Sequence, residues 1–177
     1  MLNKEHLTEQ GLRKIVAIKA TINKGLTDEL KVAFPNVIPE PRPIVNETHQ
    51  QILDPHWIAG FTSGEGSFMA ILRKSSAYKT GFQISLRFTL TQHSRDSKLI
   101  ESLIEYLGCG EIYIRKGYLA VDFIVVKFDD LTHKIIPFFL KYPIKGIKSN
   151  DFEDFCKITE IMKEKGHLTM EGLEQIS

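Results

Sequence analysis

Asp54-Pro55-His56-Trp57-Ile58-Ala59-Gly60-Phe61-Thr62-Ser63-Gly64-Glu65-Gly66-Ser67-Phe68 is the stretch that decides the fold. Asp54 suits an N-cap and Pro55 a first helical turn, so a helix is predicted over residues 54–64. Ala59, Gly60, Ser63 and Gly64 are small residues one helical turn apart. They strip bulk from one face, which lets a second helix approach closely. Glu65 follows at the helix end, where exposed carbonyls, including that of Gly64, and the negative dipole end favour a cation. A carboxylate there would lie beside its counterpart on a partner helix, and two close carboxylates repel unless a divalent cation sits between them. Standing alone, Glu65 would read as a solvated acid in a glycine-rich turn. Gly64-Glu65-Gly66 is not a dinucleotide fingerprint, because it follows a helix and precedes a strand.

Downstream, a strand is predicted over residues 67–73. Phe82, Ile84, Leu86, Phe88 and Leu90 then alternate with Gln83, Ser85, Arg87, Thr89 and Thr91, a period of two with one dry and one polar face. Leu99, Ile100, Leu103, Ile104 and Leu107 form a helical apolar stripe that Gly108 stops. Ile112 and Ile114 alternate with Glu111, Tyr113 and Arg115 in a third strand. A turn at Lys116-Gly117 leads to a fourth strand over residues 118–127. Helices are expected at residues 130–140 and 150–165. This order predicts an α+β fold, a four-stranded antiparallel sheet with helices on one face.

Upstream, a helix is predicted from Thr8, with Leu12, Ile15, Val16 and Ile22 at helical spacing and a stop at Asn23-Lys24-Gly25. A second helix begins after Thr27 and ends at Phe34-Pro35. Pro35, Pro39, Pro41 and Pro43 then make residues 35–53 an extended, semi-rigid linker. The chain's ends resemble each other. His6-Leu7-Thr8-Glu9-Gln10-Gly11-Leu12-Arg13-Lys14-Ile15 recurs as His167-Leu168-Thr169-Met170-Glu171-Gly172-Leu173-Glu174-Gln175-Ile176, with six of ten positions identical. A repeat confined to the ends implies a repeating unit of domain length. Residues 1–34 are expected to close a preceding copy of the domain at residues 54–177.

Composition bounds the partners. Apolar residues make up 42% and charged residues 25%, an ordinary globular balance. No apolar run reaches membrane-spanning length, and the polar start Met1-Leu2-Asn3-Lys4-Glu5-His6 lacks a signal-peptide pattern, so an intracellular compartment is expected. Cys109 and Cys156 stand far apart and suggest core thiols rather than a metal cluster or disulfide. The net charge of +1 hides a basic middle: residues 55–150 carry 13 basic and 8 acidic side chains, and residues 151–177 carry 3 and 7. A basic middle fits a phosphate-facing surface, though solvated faces also look this way.

The stretch from Ile58 to Gly66 resembles the nine-residue motif of the LAGLIDADG homing endonucleases. Ala59 and Gly60 fall on the motif's Ala-Gly pair, Glu65 on its penultimate acid, and Gly66-Ser67-Phe68 resembles the family's entry into its first strand. The resemblance implies the αββαββα homing-endonuclease fold with a saddle-shaped sheet. It also implies Mg²⁺ or another divalent cation at Glu65 and Gly64, and Ala59, Gly60, Ser63 and Gly64 in the helix pair. By the same resemblance Gln92 lines the cleavage centre and Lys148 lies near the scissile phosphate. The implied activity is a site-specific double-strand cut in DNA, made together with a second LAGLIDADG half, either a preceding domain or a homodimer copy. The alternatives on the same fold are an intron maturase acting on RNA and an inactive remnant. Family members encoded in organelle introns imply a mitochondrial setting.

With that resemblance, the polar sheet face becomes the expected DNA surface, since a two-stranded ribbon fits the B-DNA major groove. By alternation it presents Ser67, Met69, Ile71 and Arg73, then Gln83, Ser85, Arg87 and Thr89, then Tyr113 and Arg115. Lys74 and Lys79, in the loop between the first two strands, are placed for phosphates.

Overall fold

The computed structural model describes residues 4–22, 25–41 and 54–176. The chain divides into two compact units, Met1–Asn46 and Glu47–Ser177.

In the first unit a 3₁₀ turn at Glu5–Leu7 leads into α1 (Glu9–Thr21), followed by α2 (Asp28–Ala33). Thr8 caps α1 by accepting the Gly11 N–H at 3.0 Å, and Thr27 caps α2 through the Leu30 N–H. Asn23 and Lys24 of the expected stop lie outside the described residues, but α1 ends at Thr21 and Gly25 takes a positive φ of 74°. The proline-rich linker does not start as a free strap. Glu40 donates its N–H to the Ala17 carbonyl at 3.1 Å, folding that segment back on α1. Residues 42–53 of the linker lie outside the described residues.

The second unit begins with α3 (Pro55–Glu65), which passes without a loop into β1 (Gly66–Lys74). Gly66 is required by that junction, because any Cβ there would lie 2.6 Å from the Thr62 carbonyl oxygen. β2 (Phe82–His93), α4 (Ser97–Leu107), β3 (Glu111–Ile114) and β4 (Ala120–Val125) follow. The strands form one antiparallel sheet in the order β1-β2-β4-β3, so β2 and β4 are central. The succession of elements along the chain and the four-stranded antiparallel sheet match the α+β fold expected from the sequence.

The core lies between the dry sheet face and the helices. Leu86, Phe88 and Leu90 of β2 meet Val121, Phe123 and Val125 of β4 beneath Ile100, Leu103 and Leu107 of α4. Gly108, at φ 65°, ends α4 as predicted. A helical stretch follows as α5 (Phe128–Asp130), a π-turn (Leu131–Ile135) and α6 (Ile136–Lys141). Pro137 has no N–H for the carbonyl four residues back, and the helix widens just ahead of it. α7 (Lys148–Lys163) and α8 (Met170–Ile176) close the unit. Phe68 sits three residues beyond Glu65 and packs on Phe88, Phe139, Phe152 and Phe155, with ring centroids 4.9–5.8 Å apart. Sheet, α6 and α7 are thereby locked around the start of β1.

Three boundaries differ from expectation. The fourth strand starts at Ala120, because Gly117, at φ 81°, and a Tyr118 N–H to Arg115 carbonyl bond close a tight turn. Tyr118 and Leu119 are exposed in consequence. α7 starts at Lys148, so that lysine opens a helix rather than sitting in the preceding loop. β2 extends to His93, which places Gln92 inside the strand.

The repeat at the two ends is also structural. Lys4 and Lys165 both take left-handed backbone, at φ 48° and 60°. Each precedes a 3₁₀ turn, Glu5–Leu7 in one case and Gly166–Leu168 in the other. Thr8 then caps the Gly11 N–H, and Thr169 caps the Gly172 N–H at 3.1 Å. Gly11 lies too close to the Glu5 carbonyl, and Gly172 too close to the Gly166 carbonyl, to carry a Cβ.

Candidate nucleic-acid interface and helix-end cation site

α3 has two unlike faces. Ile58, Ala59 and Thr62 are buried in this chain's own core. Gly60 and Gly64 are exposed, and a Cβ built on either would meet no atom within 4 Å. Neither has a positive φ. Nothing in the described chain therefore requires glycine at these two positions, although each costs helix stability relative to alanine. The open stripe continues to Trp57, which is part-exposed and stacks on Phe61 at 5.1 Å. Two of the four expected interface residues leave that stripe. Ala59 lies on the adjacent, core-facing side, because neighbouring helical residues point about 100° apart. Ser63 turns its hydroxyl inward, donating to the Ala59 carbonyl at 2.8 Å and accepting the Lys145 N–H at 3.0 Å.

Glu65 is the last residue of α3 and is exposed, with Gly64 beside it. Among the described residues no group of three or more His, Cys, Asp or Glu side chains could hold a metal ion. The end of α3 thus offers the Glu65 carboxylate and helix-end carbonyls. This is part of the oxygen set a hard cation takes, and it fits a site completed by phosphate, water and a second carboxylate. Gln92 lies two residues beyond the Gly66–Leu90 pair of β1 and β2, which puts it at the same end of the sheet as Glu65. Its Oε1 accepts the His93 N–H at 2.7 Å. Lys148 is half-buried at the first turn of α7, three residues after the loop held by Ser63.

The outer sheet face assembles as cross-strand pairs. Ser67 lies opposite Thr89, Met69 opposite Arg87, Ile71 opposite Ser85 and Arg73 opposite Gln83. All eight residues expected from β1 and β2 therefore share one surface, and Arg73, Lys74, Lys79 and Gln83 are exposed. Lys74 belongs to β1, paired with Phe82, and Lys79 sits in the loop that the Ser75 N–H to Gly81 carbonyl bond closes. Thr89 is a deeper member: it is buried, and its Oγ1 has no hydrogen-bond partner among the described residues. Arg87 Nε is likewise buried without a partner.

Tyr113 continues the face and is exposed, but Arg115 differs from expectation. Its Nε donates to Asp122 Oδ2 at 2.7 Å and its Nη2 to Asp122 Oδ1 at 2.9 Å. Those bonds to Asp122 push the guanidinium pKa up from its ordinary value. Thr91 Oγ1 donates to Asp122 Oδ1 at 2.6 Å. Asp122 and Thr91 were missed by the sequence reading. Their signal is the register that sets Thr91 opposite Asp122 and Asp122 opposite Tyr113, which a single strand's alternation does not contain.

Residues 58–159 match the family model described as LAGLIDADG endonuclease. The chain belongs to the LAGLIDADG endonuclease family. Within that family it is 45% identical over 175 residues to probable intron-encoded endonuclease 3 of Neurospora crassa, covering 99% of this chain and 32% of that protein. Against DNA endonuclease I-CreI of Chlamydomonas reinhardtii it is 31% identical over 75 residues, covering 42% of this chain and 45% of that one. The LAGLIDADG homing endonuclease I-SmaMI, solved bound to cleaved DNA, superposes with a TM-score of 0.93 at 54% identity, over 98% of this chain and 57% of that chain. I-LtrWI bound to target DNA gives 0.89 at 44% identity, over 98% and 57%. The LAGLIDADG chain described here thus spans a little over half of these solved enzymes and 32% and 39% of two Neurospora crassa relatives.

Proposed function

We propose that this LAGLIDADG chain is one half of a site-specific, divalent-metal-dependent endonuclease that cuts both strands of a DNA duplex. The observation that carries the reading is the bare stripe of Gly60 and Gly64 running to an exposed Glu65. Glycines that the chain's own packing does not need, on an open helix face, suit close approach by a twin helix bearing its own terminal acid. The second half is a preceding domain, and residues 1–34 are its closing segment. The support is the shared turn, cap and close-packed glycine at the two ends.

In this reading Glu65 and the Gly64 carbonyl would hold a Mg²⁺ or similar cation, which would supply Lewis acidity at the scissile phosphate. Lys148 offsets charge as the phosphate becomes five-coordinate, and Gln92 positions water at the sheet end. Ser67, Met69, Ile71, Arg73, Gln83, Ser85, Arg87, Thr89 and Tyr113 meet the major groove, while Lys74 and Lys79 meet phosphates. In the same reading the gene lies in a mitochondrial intron, supported by a relative from Podospora anserina that is named for ND4 intron 1.

The test is cleavage of a target selected from a duplex library, using the chain joined to a preceding LAGLIDADG half. Glu65→Gln and chelation of the divalent cation should each abolish cutting while leaving duplex binding in place. Binding of intron RNA in preference to DNA, with no duplex ever cut, would overturn the nuclease reading in favour of a maturase.

A further inference from the structure

Asp122 is an acid in an awkward place. It lies on the outer sheet face, between Thr91 of β2 and Tyr113 of β3, and is only 4% exposed. A buried carboxylate on a surface that faces phosphates works against binding unless a cation compensates it. Arg115 provides that cation through two parallel hydrogen bonds, and Thr91 supplies a third. The arginine side chain nevertheless stays 46% exposed, and its Nη1 has no hydrogen-bond partner among the described residues. Its remaining contact, Nη2 to Thr91 Oγ1, is long at 3.4 Å.

We propose that Arg115 is a guanine-reading side chain held in its reading posture by Asp122 and Thr91, which act as positioning residues. The proposal rests on the reading of the outer sheet face as the DNA surface. Arginine reads guanine by giving two parallel N–H groups to O6 and N7 in the major groove. Asp122 occupies the Nε edge of the guanidinium and leaves the Nη1–Nη2 edge for that contact, at the cost of the long Thr91 bond. A free arginine loses side-chain freedom when it docks, whereas one already fixed by a carboxylate has lost it on folding. The pair also adds no net charge to the surface. It therefore contributes discrimination between bases rather than attraction to any duplex.

That separation gives the proposal a sign that a purely structural ion pair lacks. Replacing Asp122 by Asn removes a negative charge, so binding to arbitrary duplex strengthens while preference for guanine weakens. The experiment selects a randomised duplex library on the chain joined to a preceding LAGLIDADG half, as wild type and as Asp122→Asn, Thr91→Val and Arg115→Lys, and sequences the bound fraction. Thermal unfolding of each variant is measured alongside, and Arg115→Lys carries the test if Asp122→Asn does not fold. The expected result is about a tenfold loss of guanine enrichment at one position in Arg115→Lys and Asp122→Asn, with other positions unchanged. Thr91→Val should lose less at the same position. Guanine enrichment equal to wild type in folded Arg115→Lys and Asp122→Asn would overturn the proposal alone. A joined wild-type protein that enriches no sequence would overturn the DNA reading and this inference with it.

Discussion

Ser63 accepts the Lys145 backbone N–H at 3.0 Å with the same hydroxyl that donates to the Ala59 carbonyl. The motif helix is thereby tied to the loop that opens α7 at Lys148. Ser63→Ala removes this link without touching Glu65 or Lys148. Lys145 is exposed and its freed N–H finds water, so stability should fall by no more than about 1 kcal/mol. Turnover in the assembled enzyme should fall about tenfold or more through misplaced Lys148, with duplex binding unchanged. Ser63→Thr, which keeps the hydroxyl, should restore most of it. Single-turnover cleavage beside a binding titration separates these outcomes, and full activity in Ser63→Ala would remove the positioning role.

Glycines 60, 64 and 66 should respond differently to alanine, though they lie within seven residues. Gly60→Ala has open space and sits inside an exposed helix face, so the isolated chain should be more stable by up to about 1 kcal/mol. The same substitution at Gly60 or Gly64 should weaken assembly with the second half and reduce cleavage. Gly66→Ala meets the Thr62 backbone and should cost about 1–3 kcal/mol in the chain alone. Denaturant unfolding of the single chain should therefore place Gly60→Ala above and Gly66→Ala below the unsubstituted chain, while cleavage by the assembled enzyme should fall in Gly60→Ala despite its added stability. A destabilised Gly60→Ala chain would sink the idea of a face left bare for a partner.

The contrast between these positions also shows what a sequence holds. The period-two run from Phe82 to Thr91 needed no tertiary information: Ile84, Leu86, Phe88 and Leu90 of its dry face are buried, and only Phe82 at the strand's start is partly exposed. Ala59 was misplaced because spacing along a helix names a family of faces and not which one the chain covers; Ile58 and Thr62 drew it inward. Lys148 moved by a boundary shift of two residues and Gln92 by a shift of one, within what helix and strand ends ordinarily do. Arg115 carries an ion-pair partner that alternation along one strand does not announce, because Asp122 comes beside it only when β3 and β4 pair.

Thr8 and Thr169 make the same cap in the same local fold, so their alanine variants should share a signature. Each loses the side-chain acceptor for one glycine N–H, worth about 1 kcal/mol of helix-end stability. Hydrogen exchange should accelerate at the Gly11 amide in Thr8→Ala and at the Gly172 amide in Thr169→Ala, each without change at the other. Unaltered protection at either amide would show that the cap does not hold its helix start.

Cys156 and His167 set opposite limits on the pH range of the folded chain. Burial pushes the Cys156 thiol up to about 11 from the ordinary 9.0. The folded state therefore keeps its proton where the unfolded chain has lost it. The contribution of this group is complete below about pH 9 and disappears as pH rises toward about 11. His167 behaves in the reverse sense, because burial lowers its pKa and its Nδ1 is buried without a partner. Its neutral form is favoured in the fold, so that contribution is present above pH 6.5 and is lost as pH falls below it. Urea midpoints measured from pH 5 to pH 11 should fall at both ends. Cys156→Ala should flatten the alkaline limb and His167→Gln the acid limb, and an alkaline limb unchanged in Cys156→Ala would assign it to other groups. The same burial predicts that Cys156 in the folded chain reacts with iodoacetamide at pH 8 more slowly than after unfolding.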